Sequence, residues 1–266
     1  MSRISYRGRD GCPLHAAVVG DGDGPPLVLM HAGGPDHESL LPLAAHLADR
    51  HTVVLPDLRG YGRSVCPDPT LHTWARYTDD VVRLLGHLGV PGAAIGGTGL
   101  GATITLRVAA AHPGLVRAAV LIALEDIEDD TAKEAEIRFM DDFAARVAAE
   151  GINAGWEPIL ADFPPVVGAM VRDAIPRSDP ASIVAAAAIG RDRSFREVAE
   201  LAAITAPTLV FPGDDARHPT ALAEQVARTL PHGRLAPTTT WADLHTADDL
   251  ARVVAPAIRE FLDKIT

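Results

Sequence analysis

The stretch Ala93-Ala-Ile-Gly-Gly-Thr-Gly-Leu-Gly-Ala-Thr-Ile-Thr-Leu-Arg107 reads as a short apolar strand, a sharp glycine turn and a helix. That is the setting of a nucleophile elbow, G-x-S-x-G, in which a strained strand-to-helix turn lifts an attacking side chain clear of the backbone. Gly97 and Gly101 occupy the two flanking positions, and Gly99 stands between them where the attacking serine would be. Placing Thr98 at the tip instead would put Leu100 where strand and helix backbones nearly touch. A β-branched threonine also resists the backbone conformation of the tip. The register with Gly99 at the tip satisfies both demands. A side chain in such a conformation costs about 1–3 kcal/mol, which glycine relieves. The turn of an acyl-transfer enzyme is present and its usual attacking atom is missing.

The elements that must position this turn follow from the rest of the chain. At 266 residues, 47% of them apolar, it can bury a substantial core as one α/β unit with an inserted subdomain. Strand and helix patterns alternate. Strands are expected at Leu27–Met30, Thr52–Leu55, the elbow strand and Ala118–Leu124, with helices over Ser39–Asp49, Thr73–Leu88 and beyond the elbow to the His112-Pro113-Gly114 stop. A hairpin is expected near Gly8–Gly11 and a glycine-rich turn over Gly20–Pro26. The alternation breaks from Glu125 to Ala203, a helical stretch opened by a Thr131–Glu134 capping box and divided by prolines. It resumes with a strand at Pro207–Phe211, a helix from Pro219 to Leu230, a short strand near Arg234–Ala236 and a final helix from Ala247 to Leu262. This order implies a mostly parallel sheet with helices on both faces, residues 1–124 and 204–266 forming the core. Residues 125–203 form a helical cap over the carboxyl ends of the strands, where open α/β sheets bind ligands.

Formal charge is −11, which argues against nucleic-acid or anionic-membrane partners and for a soluble, cytoplasmic protein. The amino terminus lacks the apolar run of a signal peptide, and no stretch is long and apolar enough for a membrane span. Cys12 and Cys66 sit in different turn-like regions, so neither a disulfide framework nor a zinc site is expected. No nucleotide, flavin or metal motif stands out, and no cofactor is expected.

Five segments, in order, resemble the α/β-hydrolase superfamily. Leu29-Met-His-Ala-Gly-Gly-Pro-Asp36 is similar to its H-G-G-P oxyanion loop, and Asp57-Leu-Arg-Gly-Tyr-Gly-Arg-Ser64 to its D-x-R-G-x-G-x-S turn. Gly97–Gly101 matches the elbow except for the nucleophile, Pro207–Asp215 resembles the segment that delivers the acid, and His245 precedes the last helix as the family's catalytic histidine does. The resemblance covers essentially the whole chain outside the cap. It implies that His245 acts as a general base, oriented by an acid. Spacing departs from the family pattern after Gly213: Ala216 stands where an aspartate is usual, leaving Asp215, or else Asp214, for that role, with Glu125 or Asp126, after the strand that follows the elbow, as an alternative. Backbone N–H groups of Ala32 or Gly33, with that of Leu100, would form an oxyanion hole. Asp36 and His37 are expected at the pocket mouth, and Trp156 with Phe139, Phe143, Phe163 and Met170 is available to line an apolar pocket. His31, Asp57, Arg59 and Ser64 read as residues that hold loops together, and Cys66 as a small hydrophobe.

Two functions fit. One is an enzyme without an acyl-serine step, using the histidine–acid pair for water-mediated hydrolysis of a small ester or lactone, or for proton-transfer chemistry of the lyase, isomerase or cyclase type. The other is a small-molecule binding protein that has kept the pocket and given up the chemistry; a third origin for the glycine, an engineered nucleophile knockout, would more usually leave alanine. The histidine and the oxyanion-loop glycines favour the enzyme.

Overall fold

The computed structural model describes every residue except Asp23, Pro25, Thr239 and Thr266. Part of the expected Gly20–Pro26 turn therefore lies outside the described residues.

Among the described residues, eight strands form one sheet: β1 (Ser2–Arg7), β2 (Pro13–Val19), β3 (Leu27–Met30), β4 (Val53–Pro56), β5 (Ala93–Thr98), β6 (Val116–Ile122), β7 (Thr208–Phe211) and β8 (Gly233–Leu235). Their order is β1-β2-β4-β3-β5-β6-β7-β8. The β1–β2 hairpin is antiparallel and joins β4 antiparallel; all pairings from β4 to β8 are parallel. Among the described residues, nine α-helices accompany the sheet: α1 (Leu41–Leu47), α2 (Trp74–Leu88), α3 (Leu100–Ala111), α4 (Asp130–Glu150), α5 (Ile152–Leu160), α6 (Pro165–Ala174), α7 (Pro180–Ala186), α8 (Thr220–Thr229) and α9 (Ala247–Leu262).

Period-two alternation of apolar residues builds two cores. On β3, Val28 and Met30 face one side with Val54, Ile95 and Val210, under α2, α3 and α8; Leu27 and Leu29 face the other with Val53, Leu55, Val120 and Leu209, under α1 and α9. Because both faces are covered, every residue of β3, β4 and β7 is buried, and these strands read as unbroken apolar runs. Local chemistry sets the helix ends. Thr73 caps α2 by accepting from Arg76 N–H, and Gly89 ends it in the left-handed region at φ 69°. The expected Thr131 capping box does not form: the Asp129 carboxylate accepts from Ala132 N–H and caps α4 two residues earlier. Between β6 and β7 the chain forms helices joined by loops, with one isolated bridge between Ile127 and Phe195.

Sheet order reverses at β3, which pairs with β4 on one side and β5 on the other. The crevice beyond the carboxyl ends of these strands is where this architecture receives a ligand.

Candidate active site

The turn between β5 and α3 keeps the conformation of an elbow, with Gly99 at φ 49° and ψ −117°. Its neighbours are small for the reason inferred from the sequence. A β-carbon on Gly97 would meet the Met30 carbonyl oxygen at 2.5 Å, and one on Gly101 would meet the same oxygen at 2.4 Å, so β3, β5 and α3 can pack only if both are glycine. A β-carbon on Gly99 has different company: Glu125 Oε1 at 3.1 Å and Ala32 Cβ at 3.2 Å. A carboxylate thus stands where a nucleophile's side chain would project.

Glu125 is held there from several directions. It lies in the loop leaving β6, bracketed by Ala123 (φ 48°) and Asp126 (φ 64°), the two non-glycine residues with positive φ among the described residues. Each such residue costs on the order of 1–3 kcal/mol, a strain that persists only where the surroundings enforce it. Thr103 Oγ1 on α3 donates to the Glu125 carbonyl at 2.9 Å, tying this loop to the elbow helix. The carboxylate accepts from Arg217 Nε. The same guanidinium forks onto Glu136 of α4 with bonds of 3.0 and 2.8 Å and lies over the Phe139 ring at 5.2 Å.

His218 completes the group. Its Nδ1 is 2.9 Å from both Asp215 carboxylate oxygens, and its Nε2 is 3.6 Å from Glu125 Oε2. Asp215 Oδ1 also accepts from Arg217 N–H and His218 N–H, each at 2.9 Å, which folds the loop after β7 into a tight turn and returns the imidazole toward the sheet. Burial pushes the Glu125 carboxyl up, but the charge of Arg217 and the bond and charge of His218 outweigh it and hold the group down at about 2. Burial likewise works against the His218 imidazolium, yet its bonds to Asp215 and Glu125 raise it to about 9. Near neutral pH the pair is therefore carboxylate and imidazolium. Asp126 goes the other way: burial and the adjacent Glu125 charge push its carboxyl well above the ordinary range.

These groups face a cavity bounded by Ala32, Gly33, Leu100, Tyr61 and Trp241 on the sheet side and by Phe139, Phe143, Trp156, Phe163 and Met170 from the helical stretch. Trp156 packs edge-on against Phe143 with ring centroids 4.9 Å apart. Walls of this kind suit a small, largely apolar guest with a few polar atoms.

Residues 25–164 match the family model described as alpha/beta hydrolase fold. A putative carbamate hydrolase, RutD, of Variovorax paradoxus is 30% identical over 92% of this chain and 99% of its own length. The chain belongs to the alpha/beta hydrolase family. Among solved structures, a thermophilic esterase from Thermogutta terrifontis superposes with a TM-score of 0.81 at 27% identity, covering 100% of this chain and 99% of that one. The bottromycin epimerase BotH, solved in complex with bottromycin A2, has a TM-score of 0.73 at 22% identity, covering 100% of both chains. The shared fold thus carries an esterase and an epimerase and leaves the chemistry to the site.

Against the family pattern, the sequence-derived residues divide. Gly99, Leu100, Ala32, Gly33, Asp215 and Trp156 all border the cavity. His245 does not: it is exposed, and the capping box between Thr246 and Asp249 that opens α9 takes its backbone N–H. The expected pairing of His245 with Asp215 or Asp214 is absent, because Asp215 is bonded to His218. Asp214 is exposed and accepts from Trp241 N–H at 2.8 Å. The segment before α9 gives the cavity Trp241 rather than an imidazole, its indole N–H donating to the Pro212 carbonyl at 2.9 Å. Asp36 and His37 are also away from the mouth. Asp36 is buried against Arg177 at 2.6 Å, and His37 against Asp57 at 2.7 Å. Sequence reasoning missed His218 and Arg217. The available signal was the spacing Asp215-x-x-His218 directly after a strand end, in a loop already noted as departing from the family.

Proposed function

We propose that this protein is an enzyme that works without an acyl-serine step, running acid–base chemistry between Glu125 and His218 on a small, largely apolar carbonyl compound. The observation that carries this reading is the Glu125 carboxylate at the nucleophile's place, with the Asp215-oriented His218 imidazolium across from it. In the proposed cycle the substrate carbonyl sits against the backbone N–H groups of Ala32 or Gly33 and of Leu100, which stabilise charge developing on its oxygen. That acidifies the adjacent C–H. Glu125, ionised across the working pH range, takes the proton, and His218 returns one to the enolate or to a leaving group. A carboxylate held at about 2 is a weak base, so this scheme needs the polarised carbonyl to supply driving force. His218, near 9, is well matched as a donor. The helical stretch between β6 and β7 serves as the cap, its aromatic residues excluding water.

A second reading has its own support. The similarity to a putative carbamate hydrolase over nearly the full chain favours hydrolysis, with water held between Glu125 and His218 as the attacking species. The experiment that separates these is incubation of the protein in D₂O with a panel of small ketones, enol esters, lactones and carbamates, followed by mass spectrometry. Deuterium wash-in or bond shift that disappears in both Glu125→Gln and His218→Asn supports proton transfer; cleavage with the same dependence supports hydrolysis. Ligands that bind without any change sensitive to either substitution would refute both and leave a binding protein.

A further inference from the structure

A second cavity lies on the other side of the loop that follows β4, bordered by Arg3, Ser5, His15, His37, Asp57 and Arg63. Strand register explains why these residues meet. Ser5 pairs with His15 and Arg3 with Ala17 across the β1–β2 hairpin, so all four side chains share one face. Ser5 Oγ and His15 Nδ1 are bonded at 3.0 Å. His37, 5% exposed, is fixed to Asp57 Oδ1 through both its backbone N–H (3.0 Å) and its Nδ1 (2.7 Å), while Asp57 Oδ2 accepts from Arg63 N–H. The bond and charge of Asp57 outweigh burial and raise the His37 imidazole, which favours its cationic form. The other acids near His37 are engaged elsewhere: Asp36 and Glu38 both pair with Arg177. Among the described residues, neither Arg3 nor Arg63 has an ion-pair partner.

We propose that this cavity is a binding site for a small oxyanion carrying two negative charges, of the phosphate or sulfate kind, held by Arg3, Arg63 and His37. Three positive charges against the single negative charge of Asp57 leave a local excess of two, on a protein whose net charge is −11. Arg3 and Arg63 border the concavity as exposed guanidiniums without a carboxylate partner, so an entering anion gains both without having to displace one. The guanidinium fork and the Ser5 hydroxyl supply the directional donors that an oxyanion accepts. His37, buried and anchored by Asp57, is the floor, and the two exposed arginines are the walls.

Isothermal titration with inorganic phosphate at low ionic strength tests the proposal on the intact protein, with sodium acetate at matched ionic strength as the singly charged control. Native protein is expected to bind one phosphate saturably and at least tenfold more tightly than acetate. The Arg3→Gln/Arg63→Gln double variant, altered only at exposed positions and checked for an unchanged circular-dichroism melt, is expected to lose at least tenfold in affinity. His218→Asn is expected to keep the native affinity. No saturable binding, or binding that survives loss of both arginines, would overturn the proposal, as would binding that disappears with His218, which would place the anion in the larger cavity.

Discussion

Placing a hydroxyl at the tip of the turn while keeping its neighbours tests how the Glu125 carboxylate relates to the elbow. In Gly99→Ser the new side chain starts 3.1 Å from Glu125 Oε1 and 3.2 Å from Ala32 Cβ, at a φ of 49°. The backbone strain alone costs about 1–3 kcal/mol. That corresponds to a melting-temperature drop of roughly 2–10 °C for a chain of this size. For acyl transfer the serious obstacle is electrostatic. An oxyanion about 4 Å from Glu125 would be destabilised by about 4 kcal/mol at an effective dielectric constant near 20. Arg217 and His218 offset part of this, leaving about 1.5–3 kcal/mol, or roughly 10- to 100-fold in rate. Glu125→Gln keeps the shape and removes the charge, while Arg217 retains its fork onto Glu136. The assay is the burst of p-nitrophenol from p-nitrophenyl acetate, with the acyl-enzyme confirmed by mass. The expected result is a small or absent burst in Gly99→Ser and a burst at least tenfold faster in Gly99→Ser/Glu125→Gln, abolished by adding His218→Asn. A burst in the single variant as fast as in the double variant, or one that needs His245 and not His218, would refute the reasoning.

Other outcomes follow from the same geometry. Folded-state pKa values set a pH window: stability contributed by His218, raised to about 9, is fully present below about 6.5 and lost as pH rises through 9. That contributed by Glu125, lowered to about 2, is present above about 4.5 and lost as pH falls through 2. Urea melts against pH should therefore show the native protein losing its advantage over His218→Asn above pH 9. His245→Ala should change neither the melt nor any turnover by more than about twofold, since the side chain is exposed. Arg59, fully buried and bonded to Asp10 and Asp80 at 2.7 Å each, holds the hairpin turn to α2. Arg59→Ala should cost about 3 kcal/mol in a denaturant melt, because the buried Asp80 carboxylate would be left without its cation.

The fold was legible because its signals are local and repeated. Strand patterns such as Leu27–Met30 and the period of α2 need only neighbouring residues to be read, and the glycine pair at 97 and 101 encodes a backbone contact that allows nothing larger. The sharp strand-to-helix turn at Gly99 was legible for the same reason. The histidine was not, because its position depends on loop paths. Asp215 gathers the N–H groups of Arg217 and His218, which shortens the loop after β7 and aims His218 inward. The Thr246–Asp249 capping box fixes the entry to α9 and leaves His245 outside. Glu125 was in view only as an alternative acid. That it stands at the nucleophile's place follows from the strained loop at Ala123 and Asp126, which no periodicity announces.

The most direct test of the Glu125–His218 pair needs no substrate. Histidine ring ¹⁵N resonances of the native protein, with His218→Asn for assignment, can be followed from pH 5 to 10 alongside Glu125→Gln. His218 is expected to remain an imidazolium past pH 8 and titrate near 9, and to fall by at least one unit when the Glu125 charge is removed. Titration near 6.5 in the native protein, unchanged by Glu125→Gln, would contradict the pair and the acid–base chemistry built on it.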